Sequence, residues 1–210
     1  MRSVKSIVAG CAFSLVAASA GPAMAERPVI GAVDKAQGEV AAVYDGSASL
    51  LVRGSDVAFE DMLKTGPEAR VQSTLKDGTQ LTLGEKATLK VDEYVYDPSQ
   101  TGGQMTLDVV EGAFLFVGGK IEGETGGNVA INTPVGTLGV RGTTVWGGRI
   151  GSGYGVLVLD GEVTVTTGAG TVTLNAGEAT MVYDGGKYME DAHSWPKHKI
   201  DEAVETISFQ

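Results

Sequence analysis

Residues 81–95 read LTLGEKATLKVDEYV. Leu81, Leu83, Ala87, Leu89, Val91 and Val95 share one parity, while Thr82, Lys86, Thr88, Lys90, Asp92 and Tyr94 share the other. Alternate residues of a strand point to opposite faces, so this is the pattern of a half-buried strand pair, with Gly84-Glu85-Lys86 as its turn. The same period of two runs from Val40 to Val182. Leu157, Leu159, Val163 and Val165 follow it, and so do Val172 and Leu174.

Turns punctuate these runs. Asp45-Gly46, Asp77-Gly78, Asp160-Gly161 and Asp184-Gly185 are four Asp-Gly pairs between apolar segments. Both residue types tolerate the positive φ of tight hairpin turns, so each pair is read as a turn, with Glu111-Gly112 a looser member of the set. LKDGTQLTL (75–83), VVEGAFLFV (109–117) and VLDGEVTVT (158–166) echo one another. Each has an apolar lead-in, an acidic residue, a glycine and an alternating run. Their uneven spacing excludes a strict solenoid repeat but predicts hairpins built alike. The expected fold is all-β: stacked antiparallel hairpins forming a β-sandwich or β-solenoid-like domain. PSQTGG (98–103) reads as a loop. After Pro196, KHKIDEAVETISFQ places Ile200, Ala203, Val204 and Ile207 at helical spacing, which predicts a short C-terminal helix docked by that stripe.

Arg2 and Lys5, an apolar run from Ile7 to Ala20, and Ala23-Met24-Ala25 have the layout of a secretion signal cleaved after Ala25. Val8-Ala9-Gly10-Cys11 resembles a lipobox, but the apolar core follows Cys11 instead of preceding it, so lipidation is not expected. The expected organisation is a signal over 1–25, an all-β domain over 26–185, and a tail with the helix over 186–210. Cleavage removes Cys11, the only cysteine, and with it thiol chemistry, disulfides and thiolate ligands. It also removes Arg2 and Lys5, leaving 14 basic against 26 acidic residues. That balance repels nucleic acid and anionic membranes. No later stretch approaches the roughly 20 apolar residues of a membrane-spanning helix. The product is expected to be soluble and exported.

NTPVGTLGVRGTTVWGGR (132–149) invites a catalytic or phosphate-binding reading. A phosphate loop needs a lysine and a helix after its last glycine; here Thr143-Thr144-Val145-Trp146 favours a strand, and no lysine lies between Lys120 and Lys187. Gly151-Ser152-Gly153-Tyr154-Gly155 is a partial dinucleotide fingerprint, again followed by a strand pattern. His193 and His198 are the only histidines, and their spacing across Trp195-Pro196 does not make a metal site. No Gly-x-Ser-x-Gly elbow is present and no histidine base lies in the β region. Glu111 with Asp160 could form a hydrolytic carboxylate pair, but acidic residues are common at turns for backbone reasons. Tyr94, Tyr96 and Trp146 could form an aromatic platform for a glycan or chelate, although aromatics more often fill cores. No catalytic, cofactor-binding or metal-ligating residue is assigned.

Arg141, Gly142, Thr143 and Trp146 remain as candidates for a structural or partner contact. With Val135–Trp146 treated as one uninterrupted strand, neither face is polar enough for open solvent. Arg141 is therefore expected to be at least partly buried, as an internal ion pair fixing strand register or, alternatively, as a partner contact. On the first reading, Arg141→Ala would cost about 3 kcal/mol or more by stranding a buried carboxylate.

VRGSDVAFEDMLKTGPEARVQSTLKDGTQLTL, VVEGAFLFV, INTPVGTLGVRGTTVW and VLVLDGEVTVTTGAGTVTLNAGEATMV follow one another in the order of a known family. Over about Gly38 to Val182 the chain resembles the FecR-like periplasmic domain, most specifically in Thr-Pro followed by Arg-Gly-Thr. The resemblance implies an all-β domain of a Gram-negative bacterium with a role in envelope signalling. The best-known members are anti-sigma regulators that sense an outer-membrane transporter by protein contact. Those regulators carry a cytoplasmic domain and a membrane span where this chain has its signal. The expectation is a non-enzymatic periplasmic interaction module whose partner is an envelope or membrane protein, met by strand addition or near Arg141–Trp146. A ligand- or glycan-binding domain and a carboxylate-dependent hydrolase are the alternatives.

Overall fold

The computed structural model describes residues 27–100, 102–122 and 127–210. The expected signal, Cys11 included, lies outside the described residues.

The first strands are β1 (Val29–Gln37), β2 (Val40–Tyr44), β3 (Ser47–Leu50), β4 (Asp56–Ala58), β5 (Met62–Thr65), β6 (Arg70–Leu75), β7 (Gln80–Leu83) and β8 (Thr88–Val95). β9 (Gln104–Glu111) and β10 (Phe114–Val117) lead to a 3-10 turn, Lys120–Glu122. Then come β11 (Asn128–Thr133), β12 (Gly136–Ile150), β13 (Gly153–Thr167), β14 (Gly170–Asn175), β15 (Ala179–Tyr183), β16 (Tyr188–Met189) and the helix α1 (Lys197–Glu205). The expected all-β fold with one short C-terminal helix is what forms.

The sixteen strands of the described residues belong to one branched sheet, with β3, β4, β14 and β16 at its edges. β9 and β11 run parallel, so the sheet is mixed where antiparallel hairpins alone were expected. The organising element is the long β12–β13 pair. β12 pairs with β11 through Gly136–Val140 and with β10 through Thr144–Gly147. β13 pairs with β14 through Glu162–Thr167 and with β15 through Tyr154–Leu157. Each long strand thus belongs to two sheet halves, and the sheet curls on itself. The main core fills the inside of the curl, with Val33, Leu63, Leu89, Phe116, Ile131 and Val145 among its members.

Several predicted turns do other work. Asp45-Gly46 and Asp184-Gly185 both have positive φ and close the β2–β3 and β15–β16 hairpins, and Asp77-Gly78 closes β6–β7. Asp160-Gly161, however, lies inside β13. Glu111-Gly112 joins β9 to β10, which do not pair with each other: β9 bonds β8 and β11, while β10 bonds β7 and β12. Gly84-Glu85-Lys86 likewise joins β7 to β8, which pair elsewhere. The three echoing segments are therefore a hairpin, a crossover and a bulge. Their glycines share one backbone requirement, φ of 91° at Gly78, 84° at Gly112 and 80° at Gly161. A left-handed glycine reverses, redirects or kinks a chain equally well, so the echo reported backbone conformation and not pairing.

The helix docks largely as its stripe predicts. Ala203 and Ile207 are buried and Ile200 packs beside them, whereas Val204 is exposed. Their partners are Trp146, Leu157, Met181 and Trp195, a second cluster separate from the main core.

Candidate functional site

The sequence 132–149 forms the end of β11, the hairpin loop and nearly all of β12. Its centre is a double irregularity. Arg141 pairs with Glu162 and Thr144 with Asp160, so Gly142 and Thr143 stand opposite Gly161 alone. One step on, Val145 pairs with Val158, leaving Leu159 as the extra residue of β13. A bulge on each strand kinks the pair where β12 changes neighbours. Gly142 has φ of 59° with open space around it. Gly161 combines positive φ with close approach, since a Cβ there would run into the Gly142 carbonyl.

The bulge explains why parity misplaced Arg141. Before it, Leu138 and Val140 are buried while Thr137, Gly139 and Arg141 are exposed, so this half of the strand is covered on one face only. After it, Val145 enters the main core and Trp146 the second cluster, so that half is covered on both. Arg141 is therefore exposed, and its guanidinium has no ion pair or hydrogen bond among the described residues. The internal ion pair expected at Arg141 does not form among the described residues; a buried carboxylate does reach this kink, but it is held by a backbone amide.

That amide belongs to Thr143, which is 3 % exposed. Its N–H donates to Glu122 Oε2 at 3.0 Å and its carbonyl accepts from Gly118 N–H at 2.9 Å. Its hydroxyl accepts from Arg141 N–H at 2.8 Å and donates to the Glu162 carbonyl at 3.0 Å. Every polar group of Thr143 is used, and the bonds tie the kink to the 118–122 segment. Glu122 is itself buried, and its Oε1 has no partner among the described residues. Burial pushes its carboxyl up to about 7, aided by the nearby Asp77 charge and opposed by the Thr143 amide. Gly118 leaves room for this carboxylate, since a Cβ there would displace the end of the Glu122 side chain.

Asp77 completes the cluster. It is 1 % exposed and accepts from Thr79 Oγ1 at 2.6 Å, Thr79 N–H at 3.2 Å and Tyr94 OH at 3.2 Å. The Asp77 amide donates to Tyr94 OH at 2.9 Å, and its carbonyl accepts from Lys120 N–H at 2.9 Å. Burial foremost, and then the Asp77 charge, hold the Tyr94 phenol above its ordinary range. Of this cluster, sequence reading singled out Thr143, the Asp77 turn and Tyr94, each in a different role, and missed Glu122. Glu122 lies in a short loop with no periodicity, and only the burial of its neighbours marks it.

Trp146 is fully buried. Its Nε1–H donates to Thr206 Oγ1 at 3.0 Å, and Trp195 meets it edge-on at 6.2 Å. Gly155 lies beneath both rings, where a Cβ would strike Trp195 Cη2 at 2.5 Å. Trp146 is thus the anchor of the helix and not a surface contact. The aromatic platform does not assemble, because Tyr94 and Tyr96 pack against the main core while Trp146 is in the second cluster. Glu111 and Asp160 are exposed on strands that do not pair with each other. His193 is exposed, with Nδ1 beside the Asp191 carbonyl at 2.9 Å, and His198 is exposed in α1. No group of three or more potential metal ligands occurs among the described residues.

Comparison with known proteins matches residues 61–164 to a family model described as FecR protein. That span runs from the start of β5 into β13 and contains the whole Asp77–Glu122–Thr143 cluster. Two crystal structures from Parabacteroides distasonis, both provisionally described as anti-sigma factors, share the fold. One, at 2.50 Å resolution, aligns with a TM-score of 0.54 and 16% identity over 68% of this chain and 63% of its own. The other, at 1.65 Å, aligns with a TM-score of 0.52 and 16% identity over 68% and 64%. The chain thus spans a little under two thirds of each. No curated protein matches it.

Proposed function

From the premise that residues 61–164 of this chain are a FecR-family domain, we propose that it is a non-enzymatic periplasmic signalling module that works by protein contact. It would act without the cytoplasmic anti-sigma part of the best-known members, on an envelope or membrane partner. The family match carries this reading. Three further observations support it. The buried Asp77 and Glu122 carboxylates bond within the fold, Arg141 is an exposed cation unpaired among the described residues beside the β12–β13 kink, and no helix among the described residues is long and apolar enough to cross a membrane. Arg141 and Gly142 are the motif residues able to touch a partner, whereas Thr143 and Trp146 are internal.

The test is in-cell crosslinking through Arg141-adjacent positions, with fractionation of the same cells. The reading expects release with periplasmic contents and a discrete crosslink to an envelope protein that Arg141→Glu weakens. A chain retained in the cytoplasm, or one giving no crosslink above an unrelated periplasmic protein, overturns it.

A further inference from the structure

Among the described residues β3, β4, β14 and the two-residue β16 each pair on one side only, which leaves their outer edges open. Open edges of this kind are normally guarded by charge, proline or local capping. β4 is guarded: it is three residues long, and Asp61 Oδ2 accepts the Ala58 N–H at 2.8 Å. The other long edge, β14, has its Asn175 N–H taken by Glu178 at 2.8 Å.

β3 is not guarded. Gly46–Val52, GSASLLV, contains no charge and no proline. All four residues of β3 are exposed, and Leu50 at 69% is the most exposed large apolar side chain among the described residues. The Asp45-Gly46 turn, with both φ positive, has two residues, so Tyr44 and Ser47 form its hydrogen-bonded closing pair. The bonded pairs then recur at Ala42–Ser49, and Leu51 N–H donates to Val40 at 2.8 Å in step with them. Ala48 and Leu50 therefore turn their N–H and C=O outward. Beside this edge is a cleft of about 300 Å³, lined by Ser47 and Ser49 of β3 and by Asp56 and Ala58 of β4, the opposite end of the sheet. Asp45 and Asp61 also line it; Arg27, its one cation, is already bound to Asp61 at 2.6 Å.

We infer that the β3 edge takes an added strand from a partner protein, an extended segment that pairs with Ala48 and Leu50, lays an apolar side chain on Leu50, and directs basic side chains to Asp45 and Asp56. Only an extended backbone offers donors and acceptors at the spacing of a strand edge, and the uncompensated carboxylates select positive charge on it. The inference rests on the interaction-module reading and gives it a location.

The probe is a displayed library of random peptides, selected on the full chain. Selected peptides are expected to alternate apolar and basic residues and to slow amide exchange at Ala48 and Leu50. Ala48→Pro, which removes an outward N–H at an edge where proline is tolerated, should weaken them about tenfold or more. Leu50→Lys should do the same by charge, and serves if the proline variant does not fold. Thr173→Pro in β14 should leave binding unchanged. Peptides that protect another surface, that bind both β3 variants normally, or that are never selected overturn the inference. Envelope crosslinks that persist in cells carrying Ala48→Pro would reject this edge and leave the interaction module standing; crosslinks absent from wild-type cells would reject the module itself.

Discussion

The Thr143 amide donates to the Glu122 carboxylate at 3.0 Å, and the Thr143 hydroxyl bridges Arg141 N–H and the Glu162 carbonyl across the same kink. One residue therefore holds both the bulge of β12, through its hydroxyl, and the loop that closes over it, through its amide. Thr143→Val keeps the shape and the amide bond but leaves the Arg141 amide and the Glu162 carbonyl without the hydroxyl. The expected cost is about 1–3 kcal/mol. Thr143→Ser, which keeps the hydroxyl, should recover most of it. Urea midpoints of the three proteins check this; equal midpoints for wild type and Val would show that the hydroxyl is not holding the kink.

Arg141 gives the opposite expectation. Its guanidinium is exposed and unpaired among the described residues, so Arg141→Ala should shift stability by no more than about 0.5 kcal/mol. This replaces the loss of about 3 kcal/mol that a buried ion pair would have implied. A large drop in the denaturation midpoint would show that Arg141 is used inside the fold.

The contrast between these neighbours marks the limit of what the chain shows as a sequence. Period two identified the strands, because a half-buried strand writes its two faces directly into alternate residues. It failed at Arg141 because a bulge reverses the parity and leaves no mark beyond Gly142, one glycine among many. Pairing partners were equally hidden: 81–95 does form two strands, but β7 pairs with β6 and β10 and β8 with β5 and β9, not with each other. Helical spacing found the docked face of α1, yet nothing in the tail showed that Thr206 would receive the Trp146 indole. Glu122 was invisible for a related reason, since the groups that surround it, Thr143 and Asp77, belong to segments far from it in sequence.

Trp146 should be the hinge of the second cluster. Trp146→Phe keeps an aromatic ring but loses the bond to Thr206, at an expected cost of about 1–2 kcal/mol. Trp146→Ala should cost about 3–5 kcal/mol and release α1, because the helix packs on the cluster the indole fills. Hydrogen exchange resolves the two effects. Amides of Lys197–Glu205 should lose protection in the alanine variant while those of β6 and β7 keep theirs. Uniform loss across the chain would mean that the helix is not a separable unit.

Glu122 makes stability depend on pH in a direction opposite to that of most carboxylates. Burial raises its folded pKa from an ordinary 4.5 to about 7, so between those values the folded chain holds a proton that the unfolded chain has released. Stability from this group is full below about pH 4.5, falls as pH rises through the window, and levels off above about 7. After allowance for solvent screening, the fall is on the order of 1–2 kcal/mol. Glu122→Gln is permanently neutral, and its amide oxygen can still accept from Thr143. It should lack this fall and be more stable than wild type at pH 7.5, yet nearly equal to it at pH 5. The difference between the two urea midpoints across that range cancels the other titrating groups. A difference that stays constant from pH 5 to 7.5 would show that Glu122 is ionised throughout, and that the Thr143 amide outweighs the cost of burying its charge.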